Sequence, residues 1–183
     1  MKKLGSLNKA AAWLIAAAMV LIAVFGIGGL KLSSKYNKAE KTFNKTCGAS
    51  DALGNTFKSD YAAALGFARQ VESCAAEVLG SGSSISRGLT SAISEAESCA
   101  DNYLKAFETA GALDAAVTGA YSAIGKADPA AAESISGAYA NFLSAYNIMV
   151  NVYSGAYNQY IEARNDLSGG FPTSVIKSLW CLG

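Results

Sequence analysis

No histidine occurs anywhere in the chain. The side chain most often used as a general base, and most often as a metal ligand, is therefore missing. The remaining groups with chemical potential are few. Asp60 and Asp114 interrupt otherwise apolar seams, and a buried carboxylate needs a partner or takes up a proton. Such a residue binds an ion in some proteins; more often it fixes helix register or sits in a wet layer. Glu97 and Asp101 stand four apart on one predicted helix face and could begin a metal site, but Lys105 follows Asp101 by four and offers an ordinary surface pair. Serines are many, yet none is set beside a base in a recognisable motif, and neither a P-loop nor a G-x-G-x-x-G occurs. The residues thus predict no catalytic, cofactor-binding or metal site, and a protein that is not an enzyme.

The most regular feature is a ladder: Tyr139, Tyr146, Tyr153 and Tyr160 fall seven apart. It could line a groove for an aromatic or peptide ligand. The structural alternative is a ring buried in a helical seam with its hydroxyl at the rim. The four cysteines, Cys47, Cys74, Cys99 and Cys181, form no C-x-x-C pair, so a zinc or thioredoxin-type site is not indicated. They read as small buried hydrophobes, or as two disulfides if the body is exported.

Long helices must position these groups. Ile135, Phe142, Met149 and Ala156 alternate with the tyrosines in a 4-3-4-3 pattern, the period of a helix with one narrow buried seam. A similar seam runs from Tyr36 through Phe43, Phe57, Ala64 and Val71 to Val78, with a bend expected near residues 48–54, where Gly48 and Gly54 weaken the helix. Another runs from Leu89 through Ile93, Tyr103, Phe107 and Val117 to Ile124. Gly80-Ser81-Gly82-Ser83-Ser84 is a loop, Asp128-Pro129 a helix start, and Gly169-Gly170 a stop. The spacing predicts an all-α fold: helices over about 34–79, 89–124, 129–167 and 172–181, the first three about 60 Å long and antiparallel. Phe171, Pro172, Val175, Ile176, Leu179 and Trp180 would give the last one a sticky face, a candidate interaction surface.

Residues 10–30 carry no charge and would span about 30 Å as a helix, the thickness of a bilayer's hydrocarbon core. Lysines bracket the run and Trp13 suits the interface. The run exceeds the apolar stretch of a cleaved signal peptide and lacks a small-x-small site, so it reads as a retained transmembrane helix behind a flank at 1–9. Lysine and arginine counts favour a cytoplasmic body, whereas disulfides would point outward; the side stays open. The net charge of +1 gives no field for nucleic acid.

Three segments resemble the LemA family, bacterial membrane-anchored helical proteins of poorly defined role. Ser34-Lys35-Tyr36-Asn37 follows the span, as the family's Y-N opens its first helix. Tyr157-Asn158, Ile161 and Asn165 precede Phe171-Pro172 with the family's spacing, although Arg164 and Ser168 replace a tyrosine and an isoleucine. The run from Phe171 to Ile176, with Leu179 and Trp180, is similar to the family's ending. The resemblance implies a cell-membrane location and an antiparallel long-helix fold, and it transfers no catalytic residue. The expected function is a single-pass scaffold or partner-binding module, touching the bilayer through residues 10–30 and a protein partner or a second copy through its helices. The alternative is an exported, disulfide-stapled sensor that binds a ligand between helices.

Overall fold

A computed structural model of the chain describes residues 28–50 and 54–168. Every regular element among them is helical: α1 (Gly28–Gly48), α2 (Phe57–Ala75) with a π-helical turn (Ala76–Gly80), α3 (Ser84–Ser98), α4 (Tyr103–Ala127), α5 (Pro129–Ser134) and α6 (Ser136–Ser168). The all-α expectation holds, but the three long rods do not. Each breaks once.

The break between α1 and α2 falls where the glycines weaken the helix. Gly54 takes a left-handed φ of 84°. Thr56 then caps α2 reciprocally: its hydroxyl accepts from the Ser59 amide at 3.3 Å, and its own amide donates to the Ser59 hydroxyl at 2.8 Å. The predicted middle rod, 89–124, is instead a hairpin. Cys99 ends α3, and the side-chain carbonyl of Asn102 accepts from the Lys105 amide at 3.1 Å to start α4. The apolar interval from Ala96 to Ala100 to Tyr103 runs unbroken through this turn, so periodicity hides it. The third rod breaks at Ile135, whose backbone leaves the helical region. Ser134 and Ser136 donate their hydroxyls to the carbonyls of Ala131 and Glu133, at 2.7 and 2.8 Å, and serine hydroxyls in this position compete with helix hydrogen bonds. Asp128 behaves as its sequence predicts. One carboxylate oxygen accepts from the amides of Ala130 and Ala131, with Pro129 next in line.

Two units result. In residues 43–157, α2, α3 and α4 pack against one another. Ser86 meets Ala75 while Glu97 meets Arg69, so α3 runs back along α2. The first part of α6 runs back along α4, with Tyr139 against Tyr121 and Tyr157 against Phe107. The turn Ala76–Gly80 ends on Gly80, again left-handed at φ 83°. Ser86, the buried polar residue of the core, donates its hydroxyl to the Ala75 carbonyl at this turn. The second unit, among the described residues, holds 28–42 and 158–168. There Tyr36 and Tyr160 lie with ring centroids 5.5 Å apart and hydroxyls 3.0 Å apart, and Lys35 pairs with Asp166 at the surface.

Among the described residues no helix is long and apolar enough to cross a membrane. The predicted span, 10–30, lies outside them except for residues 28–30, which open α1. The predicted C-terminal helix 172–181 and its face of Phe171, Pro172, Val175, Ile176, Leu179 and Trp180 also lie outside the described residues.

Candidate functional site

One end of the 43–157 unit is an aromatic knot. Phe57 is completely buried. It stacks on Tyr61 at 5.7 Å and meets Tyr103 and Tyr153 edge-on at 5.7 and 5.2 Å. Phe107 bridges Phe43 and Tyr157 beside it. Such ring pairs each add about 0.5–1.5 kcal/mol beyond the area they bury. The Tyr61 hydroxyl donates to the Ala96 carbonyl at 3.0 Å and lies 3.2 Å from the Thr109 hydroxyl. It thus satisfies a carbonyl at the last turn of α3, next to the hidden break. Burial pushes the Tyr61 phenol above its ordinary pKa, against the opposing hydrogen bond to Thr109.

Toward the opposite end the α3 and α4 contributions are aliphatic, Leu89, Ile93, Val117, Ala120 and Ile124, with rings where α6 meets α4: buried Phe142 and the Tyr121–Tyr139 stack. Here α3 and α4 leave an open apolar groove of about 440 Å³, lined by Gly88, Leu89, Ala92, Ala116, Gly119 and their neighbours. Ile85 stands at its edge, 41 % exposed.

Three tyrosines of the ladder, Tyr139, Tyr146 and Tyr153, lie in this unit, and Tyr160 lies in the second. Tyr153 and Tyr160 are buried; Tyr139 and Tyr146 are half-buried. Tyr139 stacks on Tyr121 at 4.0 Å and donates to the Thr118 hydroxyl at 3.3 Å. Tyr146 lies parallel to Phe142 at 6.3 Å. These contacts fit a packed seam with hydroxyls at its rim.

The two seam carboxylates are not brought together. Asp60 is half-buried in the first turn of α2. Asp114 lies more than a turn beyond Thr109, the α4 residue level with Tyr61. One Asp114 oxygen is buried without a hydrogen-bond partner. Burial raises its pKa and a bond from Thr118 opposes the rise; Tyr146 is raised by its own burial first and by the Asp114 charge second. Glu97 and Asp101 do not share a helix face, because the chain reverses between them. Glu97 receives a forked contact from Arg69 at 2.7–3.0 Å, and Asp101 pairs with Lys58 at 2.9 Å rather than with Lys105. Arg69 also reaches Glu72 at 2.7 Å, and Thr90 donates to Glu72 at 2.6 Å. Burial alone would raise Glu72; the Thr90 and Arg69 hydrogen bonds outweigh it and hold the carboxyl below its ordinary range. This clasp joins α2 to α3. It forms across the turn at 80–84, and no spacing within either helix announces a pairing between segments this far apart in the chain. Among the described residues no group of three or more acidic or cysteine side chains could hold a metal ion.

Cys47, Cys74 and Cys99 are free thiols. No disulfide joins these three to one another. Cys181 lies outside the described residues. Cys47 and Cys74 are buried, as small hydrophobes are; burial pushes the Cys47 thiol up to about 12, which keeps it protonated and inert.

No protein-family model matches the chain, and no curated protein or solved structure proved similar to it.

Proposed function

We propose that this chain is a single-pass bacterial membrane protein whose helical bundle is a non-enzymatic scaffold or partner-binding module. Residues 10–30 hold it in the lipid bilayer of the cell membrane, and its helices meet a protein partner or a second copy; nucleic acid is not a partner. The similarity of Tyr36-Asn37 and the Tyr157–Ile176 region to the LemA pattern supports the anchored location. The observation that carries the reading is the apolar surface left after the helices pack: the small-residue groove between α3 and α4, edged by Ile85, and Ile148 and Val152 exposed on α6. A groove with an alanine and glycine floor lets another helix approach closely, and helix-in-groove recognition uses such surfaces.

Carbonate extraction of membranes tests the anchor. The full chain is expected to stay with the lipid and a chain lacking residues 1–30 to leave it; release of the full chain refutes the anchor. Crosslinking in intact membranes tests the binding role. Expected is a defined adduct with a protein or a second copy, and failure to trap either refutes it.

A further inference from the structure

The stretch between Glu133 and Glu162 contains no Asp, Glu, Lys or Arg, although 16 % of the chain is charged. Nearly all of it belongs to α6, which has an exposed side as well as a buried one. A surface helix ordinarily turns charged groups outward. Here the outward residues Asn141, Ser144, Ile148, Asn151 and Gly155 are all exposed and follow a 3-4-3-4 spacing, a second narrow seam about 100° round the helix from the buried one of Phe142, Ala145 and Met149. Ile148 is 40 % exposed and Val152, one turn on, is 50 % exposed.

We propose that two copies of the chain pair in parallel and in register along this outer face of α6, with Asn141, Ile148 and Asn151 of one copy meeting the same residues of the other. This rests on the anchored, partner-binding reading and names the partner. The argument is one of complementarity. A partner carrying charges would lose their hydration against a strip that offers no counter-charge. The strip instead offers aliphatic groups flanked by amides. No hydrogen bond among the described residues engages the side chains of Asn141, Asn147 or Asn151. Each amide both donates and accepts, so an identical strip satisfies it reciprocally. Paired asparagines within a heptad seam fix register and favour two parallel strands. Anchors in one bilayer present both bodies the same way round, as parallel pairing requires. Ser144 and Gly155 allow close approach. A Cβ added at Gly155 would meet nothing in its own chain, so a larger residue there blocks only a neighbour.

The test uses the full chain in detergent micelles, read by sedimentation equilibrium. The wild type is expected to be a dimer, and I148K and Gly155→Leu are each expected to weaken it at least about tenfold while keeping the helical circular dichroism. With Cys99 and Cys181 replaced by serine, Asn141→Cys and Gly155→Cys should each form a disulfide-linked dimer on oxidation, and Arg87→Cys on α3 should not. A monomeric wild type overturns the proposal, as does a dimer indifferent to I148K and Gly155→Leu. Crosslinking at Ile148→Cys without Asn141→Cys or Gly155→Cys signifies antiparallel pairing and overturns the register. Capture of a different protein at residue 148 in membranes, in place of a second copy, also overturns it. Carbonate extraction separates the two claims: a released dimer refutes only the anchor, and a retained monomer refutes only the pairing.

Discussion

The two halves of the 43–157 unit solve the same packing problem with different materials. Around Phe57 the core is filled by rings; between α3 and α4, around Ile93, Val117 and Ala120, it is filled by aliphatic side chains, with Phe142 and the Tyr121–Tyr139 stack where α6 meets α4. Rings bury much area but bring hydroxyls that must be satisfied, as Tyr61 is by the Ala96 carbonyl and Thr109. Alanine brings no polar atom, but it covers little, and a groove stays open along α3 and α4. Truncation in the aromatic half is therefore expected to cost more stability, and the aliphatic half leaves apolar surface for contact with something else.

The largest test of that contrast is Phe57→Ala. Removing a fully buried ring at the centre of the knot should cost about 3–5 kcal/mol in chemical denaturation, whereas Ala116→Leu, on the groove floor, should leave stability within about 0.5 kcal/mol. Equal losses at the two sites would remove the distinction. Tyr61→Phe comes next: it keeps the ring and leaves the Ala96 carbonyl its bond from the Cys99 amide, so loss of the hydroxyl contact should cost about 0.5–1.5 kcal/mol by the same measurement.

Two carboxyls sharpen the comparison through pH, with opposite signs. Glu72 is held below its ordinary pKa in the α2–α3 clasp, so its contribution is present above the unfolded value and lost as pH falls through the folded one. Asp114 is raised, so its contribution is present below the ordinary value near 3.8 and lost as pH rises through the higher folded one. Replacing Glu72 with Gln should flatten the acid limb of the thermal stability curve. Asp114→Asn should abolish the decline on the other side and raise the neutral-pH melting temperature slightly, by less than about 1 kcal/mol of stability, because the residue is partly solvated. A lower melting temperature for Asp114→Asn would mean that the charge is used. The smallest effect belongs to Lys58→Ala: its pair with Asp101 is exposed on both sides, and no change in melting temperature is expected.

Local chemistry was readable wherever a residue type forces a backbone state. Asp128 with Pro129 starts a helix, the Gly-Ser run at 80–84 turns the chain, and the heptad tyrosines face the core side of α6. The amino-acid order alone also settled the helical class and the lack of any histidine-based site. Tertiary structure decided what a one-dimensional period cannot contain. The seam through Ala96, Ala100 and Tyr103 has the same interval whether the helix continues or folds back, since both arrangements bury the same side chains. Asp101 and Asn102 favour a turn only weakly, and the Tyr61 hydroxyl, far away in the chain, adds a second hydrogen bond to the Ala96 carbonyl just before it. That reversal placed Asp101 beside Lys58 and laid α4 against α3 with the groove between them, while the turn at 80–84 brought Glu97 to Arg69. Spacing reports which face of a helix is buried; only the packed chain determines what lies against it.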